Sequence, residues 1–214
     1  MIAKEKLNIL WSLEQTAEKY ADRVAVSDVN QELTWKELVK KAQIIGAELS
    51  EKVQPGNPVP VLLEKSSETL AVMLGIVYAG CFYVPVNPMN PTERLRKIME
   101  KLDPEVIISD EKGKEPLAAI GNGLENKVMG PEALKTATGT ELSEEQYSRL
   151  EQIQGQWKET DVLYGIFTSG STGTPKAIVV SHGAASRFIR HFTEIFEITS
   201  ADVIGNQAPF DFDV

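Results

Sequence analysis

The stretch Tyr164-Gly165-Ile166-Phe167-Thr168-Ser169-Gly170-Ser171-Thr172-Gly173-Thr174-Pro175-Lys176-Ala177 joins an apolar, β-prone run to a cluster of glycine and hydroxyl residues that ends in a lysine. Gly170 and Gly173 let the backbone turn where a Cβ would clash, so successive N–H groups can converge on one anion while Ser and Thr hydroxyls add donors. Lys176 supplies a compact, mobile positive charge for a phosphate oxygen. Thr168, Ser169, Gly170, Ser171, Thr172, Gly173 and Lys176 are therefore read as an ATP phosphate-binding set. The spacing matches neither GxxxxGK[ST] nor GxGxxG, so neither a P-loop nor a dinucleotide-binding unit follows.

Working outward, 162–167 reads as the strand feeding this loop, 177–180 as a second strand, and Ser181 as the cap of a helix carrying Phe188, Ile189, Phe192, Ile195 and Phe196. Upstream, helical and strand signals alternate. Ile9, Leu10, Leu13, Ala17 and Tyr20 recur at helical spacing, and 24–26 is a short strand. Thr34 with Glu37 forms a capping box for a helix over 35–49, and Pro55-Gly56-Asn57-Pro58 turns into a strand at 59–63. A helix over 67–79, a strand over 82–86, a helix with Asn90 as N-cap and Pro91 in its first turn running through Leu102, and a strand over 106–108 follow. Such alternation predicts an α/β fold with a mainly parallel sheet flanked by helices. Between 111 and 161 the signal weakens to one short strand at 127–129, and this stretch is expected to be a surface excursion.

The 214 residues suffice for a buried core, and a formal charge of −9 argues against a nucleic-acid or anionic-membrane surface. Cys81 is the one cysteine, which excludes an intramolecular disulfide, and with two histidines gives no metal-ligand cluster. A reducing cytoplasm fits this usage best, and the first residues lack the apolar segment of a secretory signal. The run 69–92 is uncharged and its apolar part, 70–86, approaches the length of a membrane span, but Gly75, Gly80 and Pro85 interrupt it. A buried helix ended by Gly80, then a buried strand, explains the same letters.

The opening stretch resembles the signature loop YTSGSTGxPKG of the adenylate-forming enzymes, the superfamily of acyl-CoA synthetases, firefly luciferase and nonribosomal peptide synthetase adenylation domains. Ala177 stands where that loop has its final glycine, a source of strain if the position needs positive φ. Leu33-Thr34-Trp35-Lys36-Glu37-Leu38 is similar to LTYxEL. The run from Gly80 to Pro88 is similar to AGxAYVPIDP, with Glu93-Arg94-Leu95 extending it. Both are register marks, not catalytic groups. Asn206-Gln207-Ala208-Pro209-Phe210-Asp211-Phe212-Asp213-Val214 resembles the NQAPFSFDLS segment of the D-alanine carrier-protein ligases. In that resemblance Asp213 falls on the substrate amine-binding aspartate, a counter-charge for an α-ammonium. Asp211 replaces a serine and is read as a solvated loop acid. His182, beside the helix cap, is read as a partly exposed helix-start residue or one packed near the substrate pocket, with no proton-transfer role.

The resemblance implies the N-terminal (AMP-binding) part of that fold over 1–214, incomplete, with the C-terminal half and the small C-terminal domain beyond it. It implies ATP and Mg²⁺ as cofactors, an amino-acid substrate, D-alanine foremost, and a phosphopantetheinyl carrier protein as partner. The metal ligand is expected outside this stretch, and no catalytic residue is assigned within it. The chain alone is expected to be inactive and to self-associate through an exposed sheet edge. A peptide-synthetase adenylation domain for another amino acid, an acyl-CoA synthetase and a non-enzymatic interaction module stand as alternatives.

Overall fold

The structure is a computed structural model, and it describes residues 7–130, 134, 141–168 and 175–211. The chain begins with helix α1 (Ile9–Lys19) and a two-stranded antiparallel hairpin, β1 (Val24–Ser27) with β2 (Glu32–Thr34). Helix α2 (Trp35–Ser50) starts at the expected capping box: Thr34 Oγ1 accepts from the Glu37 amide, and the Glu37 carboxylate accepts from the Thr34 amide at 2.8 Å. Then come β3 (Pro58–Leu62), α3 (Ser67–Tyr78), β4 (Phe82–Pro85), α4 (Thr92–Leu102), β5 (Ile107–Ser109), α5 (Glu111–Ile120) and β6 (Val128–Met129). Helix α6 (Glu144–Gly155), strands β7 (Val162–Thr168) and β8 (Lys176–Ser181), and helix α7 (His182–Ile195) complete the described elements.

Six strands form one sheet in the order β6-β5-β3-β4-β7-β8, parallel except for the antiparallel β7–β8 pair. Alternation along the strands sorts side chains to two faces. Val59, Val61 and Ile108 join α2 and α3 residues in one apolar cluster, while Leu62, Val84 and Ile107 join Leu95, Ile98 and Met99 of α4 and Leu117 of α5 in another. Helices α1 and α6 back the first layer through Leu10, Tyr78 and Leu150. The α/β fold with a mainly parallel, helix-flanked sheet is thus present.

Helix α3 holds the first part of the uncharged run weighed against a membrane span. Nine of its residues are buried against the sheet and α2, and Gly80 ends it at φ +77°. No helix among the described residues is long and apolar enough to cross a membrane.

Two expectations about these elements change. The stretch 111–161 is not a surface excursion as a whole: α5, β6 and α6 lie in it, and Leu117, Leu124, Leu134 and Leu150 are buried. Pro91, not Asn90, is the cap position of α4, and Asn90 instead donates to the Asn87 carbonyl at 2.9 Å inside the preceding turn. The apolar face of α7 is exposed, with Phe188 at 66% and Ile195 at 73%. β8 ends the sheet order, so Ile178 and Val179 are also open.

Candidate active site

The parallel strands end together at Leu62, Pro85, Ser109 and Thr168, and the chain leaves adjacent strands toward opposite faces. β3 is followed by α3 on one face and β4 by α4 on the other. A crevice therefore opens between the carboxyl ends of β3 and β4, the place where open α/β sheets take ligands. Two cavities occupy it. One, of about 290 Å³, is lined by Leu63, Glu64, Lys65, Asn87, Lys112 and Asp211 among others. The second, of about 320 Å³, reaches the end of β7 and is lined by Asn87, Asn90, Arg94, Phe167, Thr168 and Asp211.

Thr168 is the last residue of β7, and its Cα partner across the antiparallel pair is Lys176, the first residue of β8. Both ends of the 169–174 segment are therefore anchored side by side at the edge where the crevice opens. Ser169, Gly170, Ser171, Thr172, Gly173 and Asp213 lie outside the described residues. Ala177 continues the extended ladder opposite Phe167 and is not among the residues of positive φ, so alanine in place of glycine carries no strain there.

Two further motifs meet the strand that precedes this segment. Tyr83 of β4 and Tyr164 of β7 are Cα partners, and their rings stack at 5.7 Å and 18°. Burial pushes the Tyr83 phenol far above its usual range, leaving it an apolar wall and no proton donor at neutral pH. Arg94 Nη2 donates to the Phe167 carbonyl at 3.1 Å, pinning the last turn of backbone before Thr168 and bringing a guanidinium to the second cavity.

The segment 204–211 crosses the same edge. Asp211, half-buried, lines both cavities. Lys65, just past β3, donates to the Asn206 side-chain oxygen at 2.7 Å, to the Ala208 carbonyl at 2.8 Å and to the Asn206 carbonyl. A larger open cleft of about 910 Å³ lies between this segment, the Tyr83–Tyr164 stack and the Phe188 and Phe192 rings of α7. Lys65 and Arg94 are the site residues whose roles the sequence did not disclose.

Arg94, Lys176, the Asn87 and Asn90 amides and the Thr168 hydroxyl are suited to phosphate oxygens. Asp211 is the one carboxylate among the described lining residues of the second cavity. The described residues hold no group of three or more His, Cys, Asp or Glu side chains placed for a metal. These donors fit a nucleotide's phosphates, and none of them is assigned to a metal.

His182 is buried, not partly exposed, and it stands at the opposite end of β8 from Lys176. Six residue steps separate the two, and the five within β8 alone span about 17 Å. Its ring stacks on Trp157 at 6.3 Å, and its Nδ1 accepts from the Ile9 amide at 3.4 Å, so it joins α1 to α7 and has no place in the crevice. Burial pulls its pKa down to about 4. The unfolded chain then binds a proton near pH 6.5 that the folded chain refuses, so stability is complete above pH 6.5 and declines as the pH falls toward 4. We expect His182→Phe to remove up to about 3 kcal/mol of this decline, the linkage energy of a pKa lowered from 6.5 to about 4. Urea unfolding of both proteins at pH 7 and 4.5 measures it, and equal pH slopes would refute the assignment.

A family model described as AMP-binding enzyme matches residues 13–214. Tyrocidine synthase 1 of Brevibacillus parabrevis is 30% identical over 201 residues, covering 94% of this chain and 18% of that protein. D-alanine--D-alanyl carrier protein ligase of Staphylococcus epidermidis is 30% identical over 205 residues, covering 94% of this chain and 38% of that protein. The AMPPNP-bound form of the nonribosomal peptide synthetase FmoA3 superposes with a TM-score of 0.74 at 25% identity, over 92% of this chain and 20% of that one. VinN superposes with a TM-score of 0.72 at 24% identity, over 87% and 48%. The chain therefore spans less than half the length of each of these relatives.

Proposed function

Because this chain belongs to the AMP-binding enzyme family, we propose that it forms the phosphate-facing part of a ligase that activates D-alanine as its adenylate and passes the acyl group to a phosphopantetheinyl carrier protein. The observation that carries this reading is the pairing of Thr168 with Lys176 at the carboxyl edge of the sheet, beside a cavity lined by Arg94, Asn87 and Asn90. A substrate carboxylate oxygen attacks the α-phosphorus of ATP. The bond from that phosphorus to the bridging oxygen breaks, and pyrophosphate leaves. The carrier thiol then gives up its proton and attacks the acyl carbon, and AMP departs. Thr168, Ser169, Gly170, Ser171, Thr172, Gly173 and Lys176 hold phosphate oxygens and stabilise the charge growing on the leaving group. Mg²⁺, when bound, would supply Lewis-acid neutralisation of phosphate charge.

Asp213 supplies the counter-charge for the substrate ammonium, and the likeness to a D-alanine carrier-protein ligase supports that substrate. Activation of another amino acid, in the manner of a peptide synthetase module, is the second reading, favoured by the equal 30% identity to tyrocidine synthase 1. The use of ATP and a free carrier thiol fits a cytoplasmic setting. The open β8 edge supports self-association wherever nothing covers it.

Exchange of labelled pyrophosphate into ATP, catalysed by protein expressed from its own reading frame, tests the proposal. D-alanine is expected to stimulate exchange about tenfold or more over acids lacking an amine, with Asp213→Asn removing that stimulation. Exchange with another amino acid alone selects the second reading. Exchange only with amine-free acids overturns the role of Asp213, and none with any acid overturns adenylation.

A further inference from the structure

Residues 203–211 form no helix or strand, and no backbone hydrogen bond joins them to another described residue. Such a segment has nothing of its own to hold one path across the sheet edge. Its hydrogen bonds to described residues converge on one side chain. The Lys65 ammonium has three donors, and it meets three acceptors here: the Asn206 carbonyl, the Asn206 side-chain oxygen and the Ala208 carbonyl. Two of the three are main-chain oxygens, so the grip fixes the backbone whatever side chains stand at these positions. The same ammonium lies 5.9 Å from the centre of the Phe210 ring, within reach of a cation–π contact.

Lys65 itself is well founded. It stands in the short connection three residues past the end of β3, and the next residue, Ser66, caps α3 by accepting from the Thr69 amide at 3.1 Å. The stem of the lysine thus rises from the junction of a central strand with a buried helix, on the rim of the 290 Å³ cavity. Asp211 borders that cavity too, and Asp213 lies two residues further along the chain.

From this geometry we infer that Lys65 is a positioning residue that seats the 206–211 segment across the crevice and so sets where the amine-recognising acid meets the amino-acid substrate. The inference rests on the adenylation reading given above. It separates two demands at one site: Arg94 and Lys176 face the nucleotide from α4 and β8, while Lys65 governs the amino acid from the β3–α3 connection. Loss of Lys65 therefore weakens recognition of the amino acid and leaves ATP recognition alone.

Lys65→Met keeps the length and apolar stem and deletes the ammonium; Lys65→Arg keeps the charge and a fork of donors. In pyrophosphate exchange we expect Lys65→Met to raise KM for the amino acid about tenfold, with KM for ATP within twofold, and Lys65→Arg to recover most of the loss. Thermolysin cleavage within 203–210, followed by mass spectrometry, is expected to quicken several-fold in Lys65→Met, with an unchanged melting temperature. Unaltered cleavage overturns the clamp. Faster cleavage with an unchanged KM for the amino acid overturns its positioning role, as does an equal rise in both KM values with a lowered melting temperature. If the wild-type protein supports no exchange, the adenylation reading falls while the cleavage rates still decide whether Lys65 holds the segment.

Discussion

Gly46→Ala and Gly75→Ala are each expected to lower the free energy of unfolding by about 2 kcal/mol or more, the range of overpacking in a close-packed core. The two glycines lie where α2 and α3 pack most closely. A Cβ on Gly46 would stand 2.5 Å from the Tyr78 Cβ and 3.0 Å from the Gly75 carbonyl, and one on Gly75 would stand 2.4 Å from the Ile45 Cγ2 and 3.1 Å from the Ala42 carbonyl. Several of these neighbours are backbone atoms or the first side-chain atom, which no rotamer change can move, so the helices must part. Parting them also disturbs buried Tyr78, whose hydroxyl donates to Glu14 at 2.9 Å. Alanine gains about 1 kcal/mol over glycine in intrinsic helix propensity, and that gain offsets only part of the cost. A melting temperature lower by about 4–8 °C follows for a chain of this length. Gly155 is the control: a Cβ there meets nothing within 4 Å, so Gly155→Ala is expected to be neutral or mildly stabilising. Urea unfolding followed by tryptophan fluorescence measures all three, and a Gly46→Ala protein as stable as the wild type would show that the helices are not in such contact.

The same pair of helices shows what the sequence could and could not disclose. Gly75 was legible as a residue that interrupts an apolar run, but its cause, the approach of Ile45, lies thirty positions away in the chain and has no local signature. Signals that act within a few residues were readable: the Thr34–Glu37 capping box, the Gly80 helix stop, and the alternation that buries Val61 on one face and Leu62 on the other. One such signal went unread, since Ser143 and Gln146 form a second capping box at the start of α6. That helix fully buries only Leu150, so its apolar period is weak and the polar composition around it dominates. Helix α7 is the opposite case: its apolar period was readable, but a period reports the existence of a face and not what covers it. Within the site, the opening motif drew attention because one loop would supply several donors together, and the structure sets its two described ends, Thr168 and Lys176, side by side. Lys65 and Arg94 were not, because their acceptors lie 141 to 143 and 73 positions along the chain, and only the sheet order brings them together.

Lys176→Ala is expected to lower the maximal rate of pyrophosphate exchange about a hundredfold, the scale on which removal of one preorganised donor to a developing oxyanion acts. The structure supports a chemical cause for such a loss over a structural one. Lys176 is exposed at the first position of β8, and it makes no part of the apolar clusters that hold the sheet. Its removal should change stability by less than about 0.5 kcal/mol, as surface substitutions do. The loss should fall on the rate more than on KM for ATP. Negative charge grows on the departing pyrophosphate as the bond to the α-phosphorus breaks, so an ammonium placed there binds the transition state more tightly than bound ATP. Lys176→Arg restores charge but replaces a compact point donor by a wider planar fork, and a deficit of about tenfold should remain. Steady-state exchange measured for the three proteins at saturating amino acid decides the matter. A Lys176→Ala protein with wild-type exchange would remove the phosphate-binding role from this residue. A rise in KM for ATP at unchanged maximal rate would place the lysine in ground-state binding, with the developing charge met by the backbone of the 169–174 segment and by Arg94 instead.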